Sequence, residues 1–195
     1  MITIFPCIIH TFFLENFSYH KNDLISYVHQ EKSKSSGVKK SNAGGWQSTD
    51  DYNQKEDNLI KSLIDTQLES FFANKQIFNN FSTAKMNSMW LNCNDTGNYN
   101  HSHNHPGCDL SGVLWLKVPK NSGNIVFESP CSFQQYKTLS NYSEEFKKST
   151  NAYDWFYVEP QEGLMILFPS HLNHSVTSNK SDQERISVAF NISFS

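Results

Sequence analysis

After Phe78 the chain breaks into short apolar stretches separated by turn residues, and few architectures accept such a pattern. Residues 85–92, 110–118, 124–127, 155–158, 163–168, 174–177 and 185–194 each have the length and composition of a strand. Pro119 ends the second, and Asn121-Ser122-Gly123 turns the chain into the third. A polar excursion over 129–151 leaves room for a short helix near 143–148. Successive short strands with tight turns predict a mainly β chain, an antiparallel sandwich or a double-stranded β-helix of the jelly-roll, cupin-like kind. No internal repeat is visible.

The N-terminal part reads differently. Residues 2–14 are β-rich, with Ile2, Ile4, Ile8, Phe12 and Phe13 available to a sheet. Asn22-Asp23 offers a cap for a helix through about Glu31, with Leu24, Ile25 and Val28 on one face. Residues 32–51 are polar and glycine-bearing and read as a loop, with Trp46 as a lone ring that either serves a lid or is buried. The clearest helix runs from Lys55 to about Asn74. Leu59, Ile60, Leu63, Ile64, Leu68, Phe71 and Phe72 recur there at three- and four-residue spacing, a stripe that packs on the outside of a sheet.

Composition narrows the classes of function. A net charge of −3 supplies no basic field for nucleic acid, and the pairs Lys39-Lys40 and Lys147-Lys148 read as solvated surface. Cys7, Cys93, Cys108 and Cys131 form no C-x-x-C pair and read as free thiols of a reducing compartment. The first fourteen residues lack a basic start and a small-residue cleavage site, and no stretch approaches the ~20 apolar residues that span a bilayer. The expected location is the cytoplasm, with no membrane partner.

The chemistry concentrates in His101, His103 and His105, spaced every second residue ahead of Pro106-Gly107. On extended backbone such residues share a face, so His103 and His105 can bite one ion. His101 falls on that face too and is placed behind the ligands, because three consecutive same-face ligands demand curvature. Cys108, three residues past His105, is a minor candidate ligand. His174, at the start of a strand after Phe168-Pro169-Ser170, is the distant third ligand, preferred over His171 because Ser175-Val176-Thr177 alternates like a strand.

Arg185 opens the last strand. Arg185 and Ser187 share one face, and Ile186, Val188 and Phe190 share the other. A guanidinium aimed into a cavity needs an anion, and a carboxylate taken bidentately is its natural partner. The bland alternative is a salt bridge to Glu184, Asp182 or Glu128.

In chain order the motifs run His103-x-His105-Pro106-Gly107, Ser111-Gly112-Val113, Val118-Pro119, Ser122-Gly123, Phe127-Glu128, then Phe168-Pro169-Ser170, His174-x-Val176 and Glu184-Arg185-Ile186-Ser187-Val188. This order resembles the 2-oxoglutarate/Fe(II) oxygenases of bacteria and phages, a prolyl-hydroxylase-like superfamily. Asn42, Gly44-Gly45-Trp46-Gln47-Ser48 and Trp90-Leu91-Asn92 also resemble that family's upstream segments.

The resemblance implies one domain over residues 1–195, with a supporting strand and helices in 1–80 and a jelly-roll core in 81–195. It implies an oxidoreductase that uses Fe(II), 2-oxoglutarate and O2 to hydroxylate a small-molecule or peptidyl substrate, releasing succinate and CO2. His103, His105 and His174 carry over as iron ligands, and Arg185 and Ser187 as the grip on the far carboxylate of 2-oxoglutarate. Trp115 stands where many relatives place a tyrosine near the co-substrate. The wider superfamily usually has Asp or Glu at the position of His105, so the site is either three-histidine or recruits Asp109 as an alternative ligand. Trp46, Trp90 and Asn92 are candidate substrate contacts. Two rival readings remain: a three-histidine cupin-type dioxygenase that does not use 2-oxoglutarate, and a non-enzymatic jelly-roll that binds through Trp46, Trp90 and Trp155.

Overall fold

The computed structural model describes residues 7–74, 77, 83–131 and 139–194. Its elements are β1 (His10–Phe13), α1 (Phe17–Lys34), the two-residue strands β2 (Asn42–Ala43) and β3 (Trp46–Gln47), and α2 (Leu59–Phe72). Next come β4 (Ala84–Asn94), β5 (Tyr99–His103), β6 (Leu110–Lys117), β7 (Ile125–Glu128) and a short helix, α3 (Glu144–Thr150). The chain closes with β8 (Trp155–Val158), β9 (Leu164–Pro169), β10 (His174–Val176) and β11 (Arg185–Phe194). Of the stretch expected to be β-rich, residues 2–6 lie outside the described residues.

Two sheets form, in the orders β1-β9-β6-β11-β4-β3 and β2-β5-β10-β7-β8, with neighbouring strands antiparallel. From β4 to β11 the chain changes sheet at every connection but β7–β8. That winding is a jelly-roll double-stranded β-helix, as expected, with N-terminal helices added to it.

Period-two alternation divides the large sheet into two faces. Leu114 and Leu116 of β6, Met165 and Leu167 of β9, and Ile186, Val188, Phe190 and Ile192 of β11 pack with Leu24 and Val28 of α1 and Ile60, Ile64 and Leu68 of α2. The intervening residues face the other sheet, where Val113, Ile166 and Phe168 meet Ile125 and Phe127 in a second core. Each large side chain fully buried contributes about 1.5–3 kcal/mol. The sheet thus has a dry, helix-covered side and an inner side free to carry polar groups.

Two helix starts differ from the expectation. α1 begins at Phe17, ahead of Asn22-Asp23, because tertiary contacts anchor it: Phe17 is buried, and the Leu14 N–H donates to the Gly163 carbonyl at 2.8 Å. α2 begins later than Lys55, at Leu59, where the Asn58 side chain accepts the Lys61 N–H.

Glu31 fastens α1 to the turn at Tyr52–Gln54. Its nearly buried carboxylate accepts from the Tyr52 hydroxyl at 2.5 Å, Lys34 at 2.5 Å and Lys55 at 2.6 Å. Burial opposes ionisation, but the bonds from Lys34, Lys55 and Tyr52 overcome it and bring the carboxyl down to about 2.

Candidate metal centre

β5 ends at His103 and β10 begins at His174, and the antiparallel register sets these two residues opposite each other. His105, two residues past β5, is held by its backbone N–H, which donates to the Ser170 carbonyl at 2.9 Å. Ring centroids lie 4.4 Å apart for His103 and His174, 5.0 Å for His103 and His105, and 5.2 Å for His105 and His174. One nitrogen of each ring falls within 4.8 Å of the other two.

Hydrogen bonds set which nitrogen faces inward. Nδ1 of His103 lies 2.8 Å from the His101 carbonyl, and Nδ1 of His174 lies 2.9 Å from the Leu172 carbonyl. A carbonyl only accepts, so Nδ1 carries the hydrogen in both rings and the Nε2 lone pair is left for an ion. Burial pushes all three imidazoles below the ordinary histidine value. His105 falls to about 4 and His174 to about 3, with neighbouring imidazoles adding to the effect. Three neutral nitrogen donors converging on one point suit a divalent transition metal such as Fe(II).

Arg185 lines the same hollow from β11, together with Ser187 and Trp115. It is 2% exposed, and Nη1 donates to the Ser122 carbonyl. Gly123 makes room for that contact, since a Cβ there would lie 3.0 Å from Arg185 Nη1 and 2.3 Å from the Thr177 carbonyl oxygen. Burial lowers the guanidinium to about 10, so it stays charged at neutral pH. Among the described residues it forms no ion pair. Glu184 is taken by His29, Lys32 and Lys117, and Glu128 accepts from Ser102. Among the described residues the buried Ser122 hydroxyl has no hydrogen-bond partner. A buried cation without an ion-pair partner, lining the hollow with the Ser187 side chain beside it on the same strand face, fits an anionic ligand such as the distal carboxylate of 2-oxoglutarate.

Register builds the floor of the site. Gln47 of β3, Asn92 of β4, Ser187 of β11 and Trp115 of β6 stand opposite one another in turn, a single row across four strands. Two hollows open over this face and share Ser41, Trp90, His103 and His105. The inner one holds Asn92, Arg185 and His174, and the outer one holds Gln47, Asp50 and Asn191. Trp90 rests against His105 with ring centroids 5.6 Å apart.

Other sequence candidates are placed elsewhere. Asp109 spends a carboxylate oxygen on the Phe194 N–H at 2.8 Å and is not in the three-imidazole group. Cys108 makes a long contact to the Asn87 amide, and His171 is exposed outside that group. The His101 ring packs edge-on against Tyr99, and its carbonyl is what orients His103. Trp46 is no lid: it is 8% exposed in the helix-side core, and its indole N–H donates to the Ser35 carbonyl at 2.9 Å. Trp155 is exposed on β8 and lines neither hollow.

Two features escaped the sequence reading. One is Gln47, which burial of Trp46 would have revealed, since adjacent strand residues face opposite sides. The other is a polar chain: Ser111 Oγ bonds Ser170 Oγ and Asn191 Oδ1, each at 2.8 Å, and the Asn191 amide donates to Ser88 at 3.1 Å. It links the segment that holds His105 to the floor of the outer hollow.

No curated protein matches the chain by sequence. Solved structures match it over nearly its whole length. A prolyl-4-hydroxylase from Pseudomonas putida aligns with a TM-score of 0.62 at 12% identity, covering 95% of this chain and 92% of that one. The viral collagen prolyl hydroxylase of Paramecium Bursaria Chlorella virus-1, solved with 2OG, gives 0.61 at 13% identity and 94% of each chain. The α-ketoglutarate-dependent epimerase SnoN of nogalamycin biosynthesis gives 0.68 at 10% identity, over 95% of this chain and 78% of that one. At such identities the likeness speaks for the fold. Residues 88–191, more than half of the sequence and the segment that carries all three imidazoles and the buried guanidinium, match the family described as "Putative 2OG-Fe(II) oxygenase", and the chain belongs to that family.

Proposed function

We propose that the chain is a non-haem oxygenase dependent on Fe(II) and 2-oxoglutarate, which hydroxylates its substrate with consumption of O2 and release of succinate and CO2. One observation carries this reading: three neutral imidazoles and an unpaired buried guanidinium line a single hollow. Nε2 of His103, Nε2 of His174 and a ring nitrogen of His105 would hold the ion. Arg185 and Ser187 would take the distal carboxylate of 2-oxoglutarate, with Trp115 beside Ser187 in register. When bound, the two cofactors supply the oxidising chemistry, coupling activation of O2 to decarboxylation of the keto acid.

The chain's own share is orientation and exclusion of water. Carbonyls of His101 and Leu172 fix the ring planes before any ion arrives. Val113, Ile125 and Phe168 wall the inner hollow with apolar surface, which strengthens the pull of Arg185 on an anion. With His105 where relatives of the wider superfamily carry a carboxylate, the triad is neutral and leaves more positive charge on the ion.

The test is succinate formed from 2-oxoglutarate by the Fe(II)-loaded protein in the absence of substrate. Slow, iron-dependent release that Arg185→Gln abolishes is expected. No release, together with 2-oxoglutarate binding that is equal in wild type and variant, would overturn the reading. The neutral triad also favours a second reading, a three-histidine dioxygenase in which Arg185 grips the substrate's own carboxylate. Oxygen uptake that needs no added 2-oxoglutarate would select it.

A further inference from the structure

A two-residue strand sends its side chains to opposite faces. Trp46 goes to the helix side, so Gln47 is turned inward and lines the outer hollow beside Trp90, His103 and His105. Its backbone is pinned on both edges, by pairing with β4 on one and by its carbonyl accepting the Val38 N–H at 2.8 Å on the other. The residue is 5% exposed, yet its Oε1 is buried with no hydrogen-bond partner among the described residues. Such an atom carries a desolvation cost that a donor on a ligand would remove once the carboxamide turns to bring it to the surface of the hollow. Asn92 stands directly opposite in register and lines the adjoining hollow, so two carboxamides lie side by side next to the candidate metal centre.

From this pair we infer that the substrate presents an amide, a peptide bond or a carboxamide, to Gln47 and Asn92. The inference rests on the oxygenase reading and deepens it by naming the substrate class. A peptide bond holds one donor and one acceptor in fixed relation, and a carboxamide adds a second donor, so either complements two carboxamides whichever way each is turned. A hydrocarbon or a carboxylate offers no hydrogen to Oε1. A hydroxyl does, but through a single atom, whereas facing residues on antiparallel strands sit about 5 Å apart. Exposed Lys40 and Asp50 at the rim carry opposite charges, so the rim favours neither sign and admits a neutral group.

The test uses full-length, ¹⁵N-labelled protein loaded with Zn(II). The probes are N-methylamides of acetic, isobutyric, cyclopentanecarboxylic and phenylacetic acids, each paired with the N,N-dimethylamide that lacks the donor hydrogen. The readout is the Gln47 side-chain amide resonance, assigned by its disappearance in Gln47→Met. At least one N-methylamide should move that resonance saturably and bind about tenfold more tightly than its dimethyl partner, the effect of one hydrogen bond. Gln47→Met should lose the same factor, read from the ligand's own signals. If that variant fails to fold, the ligand's own signals still give the wild-type affinities of each pair, and the comparison stands on those. Absence of saturable binding, or equal binding by the members of each pair, overturns the inference. 2-Oxoglutarate titrated into the same sample separates the two readings. If it binds while the amide pairs are not distinguished, only the substrate class falls, whereas failure to bind it removes the oxygenase reading itself.

Discussion

His174 faces His103 across the β10–β5 ladder, with ring centroids 4.4 Å apart, so two residues seventy-one positions apart in the sequence meet through strand register alone. An ion held there would bridge two strands of the small sheet. Replacing either ring breaks the set, and His174→Ala should weaken Co(II) or Fe(II) binding by more than the roughly 10–100-fold that loss of a supporting partner costs. Asp109→Asn and Cys108→Ser should bind metal as wild type does. Titration followed by Co(II) absorption checks all three.

Arg185 is the second test. Arg185→Gln removes the buried charge but keeps a hydrogen-bonding group, and should weaken 2-oxoglutarate binding by about a hundredfold, as expected for losing one side of a buried charge pair. Metal affinity should hold. Calorimetric titration of the metal-loaded protein with 2-oxoglutarate measures it.

Gly123 adopts φ +91° directly against Arg185 and the Thr177 carbonyl, a position no side chain fits. Gly123→Ala should cost about 1–3 kcal/mol of stability and lower 2-oxoglutarate affinity together, because relief of the clash moves the guanidinium. Denaturant melts and the same titration would check both effects. A stability loss with unchanged affinity would separate Gly123 from the pocket.

On the helix side, a Cβ at Gly112 would lie 2.3 Å from the Phe190 ring and 2.8 Å from Leu167. Gly112→Ala should therefore destabilise by about 1–3 kcal/mol through overpacking. Thermal unfolding monitored by circular dichroism is sufficient.

The Glu31 carboxyl gives a pH prediction with a definite sign. Its folded value of about 2 lies below the ordinary carboxylate value, so the native state binds fewer protons than the unfolded chain between the two. This stabilisation is fully present above about pH 5 and is lost as pH falls toward 2. Glu31→Gln should lose about 1–3 kcal/mol at pH 7 and show a shallower decline in acid. Urea midpoints from pH 7 to pH 2.5 give the comparison.

Much of this architecture was legible because it is written in local pattern. The alternation Arg185-Ile186-Ser187-Val188 named both faces of β11, and the spacing of His103 and His105 named a shared face before any partner strand was known. The helix stripe at Ile60, Ile64 and Leu68 was equally plain. What was hidden depends on distant pairing. Phe17 starts α1 because Gly163, far along the chain, makes room for its ring, and no local cap announces it. Trp46 sits among glycines and polar residues that read as a loop, while the structure threads it between sheet and helices. Gln47 became visible only through that burial, and Asp109 looked like a ligand until the last strand claimed its carboxylate.

The carbonyls of His101 and Leu172 each lie two residues before the ring they hold, so one local device is used twice on two facing strands. The socket is cast by the main chain rather than moulded around its guest. Loading should then be paced by how fast water leaves the incoming cation, with little time spent rearranging the polypeptide.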